Sequence, residues 1–403
     1  MNKRAILAAI DVGTTKVCTI IAEANDGVRI LGAGVTPSSG LHKGMVVNIS
    51  EARESIRTSV RKAEQVSGYR IESAYVGVTG RHITSLNNRG VIAIGRNDRP
   101  VRSDDLRRVL QSAQSINIPS DRKLLHVIPR SYAVDGQVGI KNPVGMHGFR
   151  LDVETHIITA AVSSVQNLVK CVRGAGIDID ELILEPIASS EAVLTEEERQ
   201  VGTILADIGG GTTDIAIFRD GSIWHTAVIS VAGYQFTRDI AIGLGLPFDV
   251  AEQIKKKHAT VMSVYEGKAK PEDKVSQNGH GTSYQDLCDI IRARVEELLR
   301  LILLELPHSE YKNIVPGGLV LTGGSSNLPG IDTLGRQILK LPVRVGTPTN
   351  IHGITDMLRD PAYATGVGLL LWGVKQRGSP EQKSQSVTTG LRHLITRLWS
   401  LFH

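Results

Sequence analysis

Cysteine, aromatic side chains and long apolar runs are all scarce in this chain of 403 residues. The three cysteines, Cys18, Cys171 and Cys288, stand far apart in no paired spacing, which argues against a disulfide framework or a cysteine-based metal site. They read as reduced, buried thiols of an intracellular protein. Phe, Trp and Tyr make up only 4% of the residues, few for a surface that stacks bases. The longest apolar stretch, around Val367 to Val374, falls far short of the ~20 residues that cross a bilayer. At the amino terminus a basic start leads into an apolar run that Asp11 soon breaks, which fits a first core strand better than a signal peptide. The excess of one sign of charge is also small: the formal net charge is +5. Between Trp372 and His403 five basic residues face Glu381 alone, so most of that excess lies in the tail. The body is nearly neutral, and no nucleic-acid partner is expected.

What is present is 41% hydrophobic residues and 22% charged ones, the composition of a soluble globular protein long enough for two domains or more. A short motif occurs twice. Ala9-Ile-Asp-Val-Gly-Thr-Thr-Lys16 returns, almost intact, as Ala206-Asp-Ile-Gly-Gly-Gly-Thr-Thr-Asp214. Apolar runs precede and follow both copies, so each is a turn between strands. Further on, Asn25-Asp26-Gly27 and Arg219-Asp220-Gly221 each open another apolar run, and Asp-Gly between such runs signals a hairpin. The repeated unit is strand, Asp-x-Gly loop, strand, Asp-Gly turn, strand, as in a duplicated half-domain.

Other elements follow the same logic. A helix is expected over Ser50 to Ser67, with Ser50 as N-cap. A hairpin is expected around Asn87-Asn-Arg-Gly90, and a helix from Ser103. Asp286 to Leu306 has the apolar spacing of a long amphipathic helix. Gly267 to Gly281 is polar and reads as a loop, and Gly318 to Ser325 is a third strand that ends in a Gly-rich turn. From Gln376 to Thr389 nothing can build a core, which suggests a flexible linker.

Glycines at a sharp strand turn let backbone N–H groups approach an anion, and neighbouring threonines add hydroxyl donors. Two such loops, one from each half, can clasp a polyphosphate. An Asp in each loop would repel phosphate directly but suits Mg²⁺ held through waters.

Ile10 to Thr15, Asp207 to Asp214 and Leu321-Thr-Gly-Gly-Ser325 resemble the two phosphate motifs and the adenosine motif of the actin, Hsp70 and sugar-kinase superfamily. Glu185-Pro-Ile-Ala-Ser-Ser-Glu-Ala192 is similar to the segment that links the halves in its Hsp70-like members. The resemblance implies an α/β actin-like ATPase fold, with two ribonuclease-H-like halves around a nucleotide cleft that binds ATP and Mg²⁺. It places Asp11 and Asp207 beside the Mg²⁺. Gly13, Thr14, Thr15 and Lys16, with Gly209, Gly210, Gly211, Thr212 and Thr213, would hold the phosphates. Glu185 would position the attacking water, the one catalytic assignment. Gly233, Glu252, Lys255, Gly323, Gly324 and Ser325 would line the ribose and adenine.

The tail narrows the family. Leu391, Leu394, Ile395, Leu398, Trp399 and Phe402 form one apolar helical stripe, with Arg392 and Arg397 on other faces. A terminal helix docked on the core would show the same stripe, but the linker before it and the aromatics suit an interfacial membrane helix better. Two arginines contribute only about 1 kcal/mol each near an anionic leaflet, so stable attachment would need several tails acting together. Together with a small subdomain inserted after the first helix, this resembles the bacterial cell-division family FtsA.

In that family residues 1–82, with 165–195 and part of 365–375, would form the first half, and 83–164 the insert. Residues 196–228 and 307–364 would form the second half's core, 229–306 its small subdomain, 376–389 the linker and 390–403 the membrane helix. The resemblance implies self-assembly into filaments on anionic lipids at the cytoplasmic face of the inner membrane. It also implies recruitment of later division proteins and tethering of FtsZ, whose tail would dock on the small subdomain. Arg292, Arg294 and Arg300 are candidates to meet that acidic tail, or else form a plain solvated face. At most slow ATP hydrolysis is expected. The rival readings are a sugar kinase or phosphatase of the same superfamily and a type IV pilus assembly adaptor of similar fold. No substrate base stands out for the first, and the amphipathic tail weighs against both.

Overall fold

The computed structural model describes residues 5–25, 27–95, 99–262, 274–277, 280–306 and 315–378. The two copies of the repeated unit fold alike. Ala5–Val12, Lys16–Ala24 and Val28–Pro37 form one antiparallel meander, and Thr203–Ile208, Thr213–Arg219 and Ser222–Ile229 form another. In the second, Asp220 and Gly221 take φ values of 55° and 79°, as a tight primed turn requires. Each meander is extended by two parallel strands. Ser73–Val78 and then Asp178–Leu184 continue the first sheet, and Leu319–Thr322 and then Val343–Val345 continue the second. The sheets therefore share one strand order, with Ile351–Gly353 added at the edge of the first. A duplicated half-domain accounts for this.

The cores follow from these sheets. Along Thr203–Ile208 the side chains alternate: Ile204, Ala206 and Ile208 enter the second half's own core, whereas Leu205 joins the core of the first half. Ala216 and Phe218 do the same on the neighbouring strand. The helix Glu185–Val193 touches strands of both sheets and packs on the last described helix, Ala364–Gly378. That last helix runs through Gly378, so residues 376–378 are helical rather than linker. The remaining linker residues and the whole of 390–403 lie outside the described residues. Among the described residues no helix is long and apolar enough to cross a membrane.

Between the first half's strands lies a separate four-stranded sheet of Ile83–Ala93, Arg150–Ala161, Arg122–Val134 and Gln137–Ile140, with the helix Ser103–Gln114 against it. It has its own core, built on Val109, Ala113, Leu151 and Val153. It also reaches the second half. Arg130 lies over the Trp224 ring at 3.8 Å, and Ser85 Oγ donates to the Thr226 carbonyl at 2.9 Å.

Three local expectations are corrected. Asn87 to Gly90 is not a hairpin but the middle of the strand Ile83–Ala93. Gly90 is there because a Cβ would stand 2.6 Å from the Ala113 nitrogen of the helix crossing it. The first helix, Ile49–Ser67, is capped by Asn48, whose Oδ1 accepts from the Ser50 and Glu51 N–H groups at 3.1 and 3.3 Å. The polar stretch read as a loop contains two paired strands, Lys274–Gln277 and His280–Ser283. The long helix itself spans Tyr284–Leu304 and buries Leu287, Ile291, Val295, Leu298, Leu299 and Ile302.

Candidate nucleotide site

Asp11 and Asp207 stand near the ends of equivalent strands, opposite Cys18 and Asp214. In each loop the glycine two residues on closes the same turn. The Gly13 N–H donates to the Lys16 carbonyl at 3.0 Å, and the Gly209 N–H to the Thr212 carbonyl at 2.9 Å. The hairpins therefore correspond residue for residue: Thr14 and Thr15 match Gly210 and Gly211, and Lys16 matches Thr212. The Thr-Thr pairs that look alike in the sequence are not equivalent. Thr14 and Thr15 sit at a loop tip, whereas Thr213 opens the returning strand and gives its hydroxyl to the Val231 carbonyl at 2.7 Å. The two tips meet. A Cβ on Gly211 would lie 2.5 Å from Thr14 Oγ1, and one on Gly210 would overlap the Thr15 methyl, so only glycine admits this approach.

Four carboxyl groups are buried behind the tips: Asp11, Asp207, Asp214 and Glu185. Asp207 accepts from Ser189 Oγ at 2.5 Å and from Thr365 Oγ1 at 3.0 Å. Asp214 accepts from Thr79 Oγ1. Burial pushes Asp11 up to about 6, with Lys16 opposing and Asp207 adding to the rise. Burial likewise lifts Asp214 to about 7, against the Thr79 hydrogen bond, with Asp207 adding to it. Glu185 is raised well above the usual carboxylate range by burial and then by Asp11, Asp214 and Asp207. Asp207 also rises through burial, moderated by its two hydroxyl donors. Lys16 is the cation that opposes this charge on Asp11, Asp207 and Glu185. Its ammonium donates to the Ala362 carbonyl and lies 4.7 Å from the Tyr363 ring centroid.

Such a cluster needs further positive charge. Glu185 Oε1 is buried without a hydrogen-bond partner from the protein, which fits a bound water. Among the described residues no three His, Cys, Asp or Glu groups converge to grip a metal directly. Carboxyl and hydroxyl oxygens are the donors that Mg²⁺ meets through its water shell.

The remaining predicted contacts gather around the second loop. The helix Gly233–Gly243 starts there, and its Gly233 and Tyr234 N–H groups donate to the Gly209 and Gly210 carbonyls at 3.1 and 2.7 Å. Ser325 Oγ donates to the Gly209 carbonyl at 2.9 Å. Lys255 Nζ donates to the Gly233 carbonyl at 3.0 Å and pairs with Glu252 at 2.7 Å. Burial works to raise Glu252, but Lys255, Thr237 and Lys256 together outweigh it and hold the carboxyl low. Gly323 has φ 84°, and a Cβ on it would lie 2.6 Å from the Ile208 carbonyl and overlap Asp207 Oδ1. Gly324 opens the short turn that carries Ser325.

Other predicted residues lie apart. Arg292 and Arg294, on the long helix, bond Glu296 and Asp239; Arg300 is 3.7 Å from Glu296 and 70% exposed. Leu391, Arg392, Leu394, Ile395, Arg397, Leu398, Trp399 and Phe402 fall outside the described residues. Sequence reasoning passed over Asp214, Thr79, Ser189 and Thr365. Asp214 had a signal: it directly follows Thr213 inside the repeated motif. The other three become neighbours of the carboxyl groups only through the fold.

The sequence model of cell division protein FtsA matches residues 204–368, and that of the SHS2 domain inserted in FtsA matches residues 80–159. Cell division protein FtsA of Pseudomonas aeruginosa is 43% identical over 387 residues, covering 94% of this chain and 92% of its own. That of Escherichia coli K12 is 36% identical over 408 residues, covering 98% and 97%. The chain belongs to the FtsA family. Solved structures of similar fold include the PilM–PilN type IV pilus biogenesis complex, with TM-score 0.65, 18% identity and coverage of 91% of this chain and 98% of that one. MreB5 of Spiroplasma citri bound to AMPPNP has TM-score 0.53 and 14% identity, with coverage of 96% and 98%. The actin-like fold is thus shared with a pilus protein, while the family is that of the division proteins, as the FtsA-like motifs and insert imply.

Proposed function

We propose that this FtsA-family chain binds ATP with Mg²⁺ between its two hairpin loops and assembles into filaments on the cytoplasmic face of the inner membrane. There it tethers FtsZ and recruits later division proteins. The observation that supports nucleotide binding most is the buried carboxyl cluster behind two interlocked glycine loops. Asp11 and Asp207 would hold the metal through waters, and Thr14, Thr15 and Lys16 would face the phosphates from one side. The glycines of the second loop would approach them from the other. Glu252 and Lys255 would meet the ribose and adenine, with Gly323, Gly324 and Ser325 closing over the adenosine. The metal would supply charge that favours the ionised carboxyl groups and screens the phosphates. Glu185, at the start of its helix, would orient the attacking water, and hydrolysis would be slow at most.

The membrane part of this reading rests on the apolar stripe and arginines of residues 390–403. One such helix binds a leaflet weakly, so filament formation would supply the avidity. The FtsZ tail would dock on the small subdomain, where Arg300 has the most freedom of the three arginines to meet acidic groups.

The test is co-sedimentation with vesicles rich in phosphatidylglycerol, with and without ATP and Mg²⁺, using the full chain and one ending at Gly378. The reading predicts that the full chain pellets, more so with ATP, and that the shortened chain stays in solution. If neither form pellets under any condition, the tether is wrong.

A further inference from the structure

Beside Glu185 lies a small cavity in which about 20 Å³ is open to the centres of water-sized molecules, room for one water. Glu185 and His82 both line it, together with apolar groups such as Val12, Met45 and Leu168. Three polar atoms of these two residues are buried without a hydrogen-bond partner: Glu185 Oε1 and both ring nitrogens of His82. Buried polar atoms in native proteins find partners, often ordered water. Thr79, which also lines the cavity, already commits its hydroxyl to Asp214.

We propose that a single water in this cavity bridges His82 and Glu185, and that His82 is a positioning residue holding the Glu185 carboxyl. This rests on the reading that Glu185 orients the attacking water. A neutral imidazole offers one donor and one acceptor, so it can anchor a water that donates to Glu185 Oε1. Burial, with Arg122 nearby, lowers the pKa of His82 and favours that neutral form. The placement of His82 is itself fixed from outside the nucleotide site. It stands just before the insert's first strand, Ile83–Ala93, and Arg122 of the insert donates to its carbonyl at 3.0 Å. The bridge therefore joins the insert to the residue closest to the proposed chemistry.

Nitrogen-15 NMR of the histidine-labelled full chain tests this, with the His82 signals assigned by their loss in His82→Gln. Glu185→Gln, which keeps the side-chain shape, is expected to shift the His82 ring nitrogens. His82→Leu should slow ATP hydrolysis roughly tenfold, as loss of a supporting partner commonly does. His82→Gln, which can still hydrogen-bond a water, should recover most of the rate. Both His82 variants should keep the wild-type ATP affinity and melting temperature. His82 nitrogens that do not respond to Glu185→Gln, or wild-type hydrolysis in His82→Leu, would overturn the proposal. If the wild-type chain hydrolyses no ATP, the role of Glu185 fails, and the NMR response alone decides whether the two side chains are joined.

Discussion

The carboxyl cluster makes the nucleotide-free protein a strained electrostatic object, and Asp214→Asn measures the strain. Asp214 is lifted from an ordinary 3.8 to about 7, and each pKa unit corresponds to about 1.4 kcal/mol. An acid that binds its proton more tightly when folded is fully favourable to folding below its unfolded pKa, and that contribution is lost as pH rises through the folded value. The loss therefore falls between about pH 4 and pH 7, and at pH 8 the ionised Asp214 costs on the order of 4 kcal/mol. Asparagine removes the charge, and its side-chain oxygen can still accept from Thr79. Thermal melts in EDTA without nucleotide, from pH 5 to pH 8.5, provide the assay. Wild type should lose melting temperature across this range. Asp214→Asn should melt several degrees higher at pH 8 and show a flatter profile. A variant that melts below wild type at pH 8 with an unchanged slope would refute the electrostatic argument.

Two further predictions rest on packing and on the second loop. Gly323→Ala places a Cβ against the Ile208 carbonyl in a left-handed backbone, so it should destabilise the chain by about 2–4 kcal/mol in urea unfolding; a loss under 1 kcal/mol would contradict the close approach. Lys255→Met leaves Glu252, half-buried beside Thr237, with only the more exposed Lys256 as its cation, and should weaken binding of a fluorescent ATP analogue by roughly tenfold or more. Unchanged affinity would remove Lys255 from the site.

Much of the fold was legible because its strongest signals are local. Apolar runs broken by Asp-x-Gly and Asp-Gly mark three strands in a row, and seeing them twice reveals the duplication without any tertiary information. The register between the copies was not legible, because matching letters aligned Thr14-Thr15 with Thr212-Thr213 while hairpin geometry aligns them with Gly210-Gly211. Gly90 misled for a related reason: a glycine required by a crossing helix looks the same in sequence as one required by a turn. The strands Lys274–Gln277 and His280–Ser283 carry almost no apolar alternation, so periodicity had nothing to detect. In the site, Asp11, Asp207 and Glu185 could be read from motifs. Thr79, Ser189 and Thr365 could not, because single hydroxyl residues acquire meaning only when the fold sets them against a buried carboxylate.

The two loops and their buried carboxyl groups are proposed to form one Mg²⁺-dependent nucleotide site. Isothermal titration of ATP into the full chain, with Mg²⁺ or with EDTA, compared with Asp11→Asn and Asp207→Asn, tests it most directly. One ATP should bind per chain, tightly only with Mg²⁺, and both variants should lose tenfold or more in affinity. Equal affinity in EDTA and in both variants would contradict it.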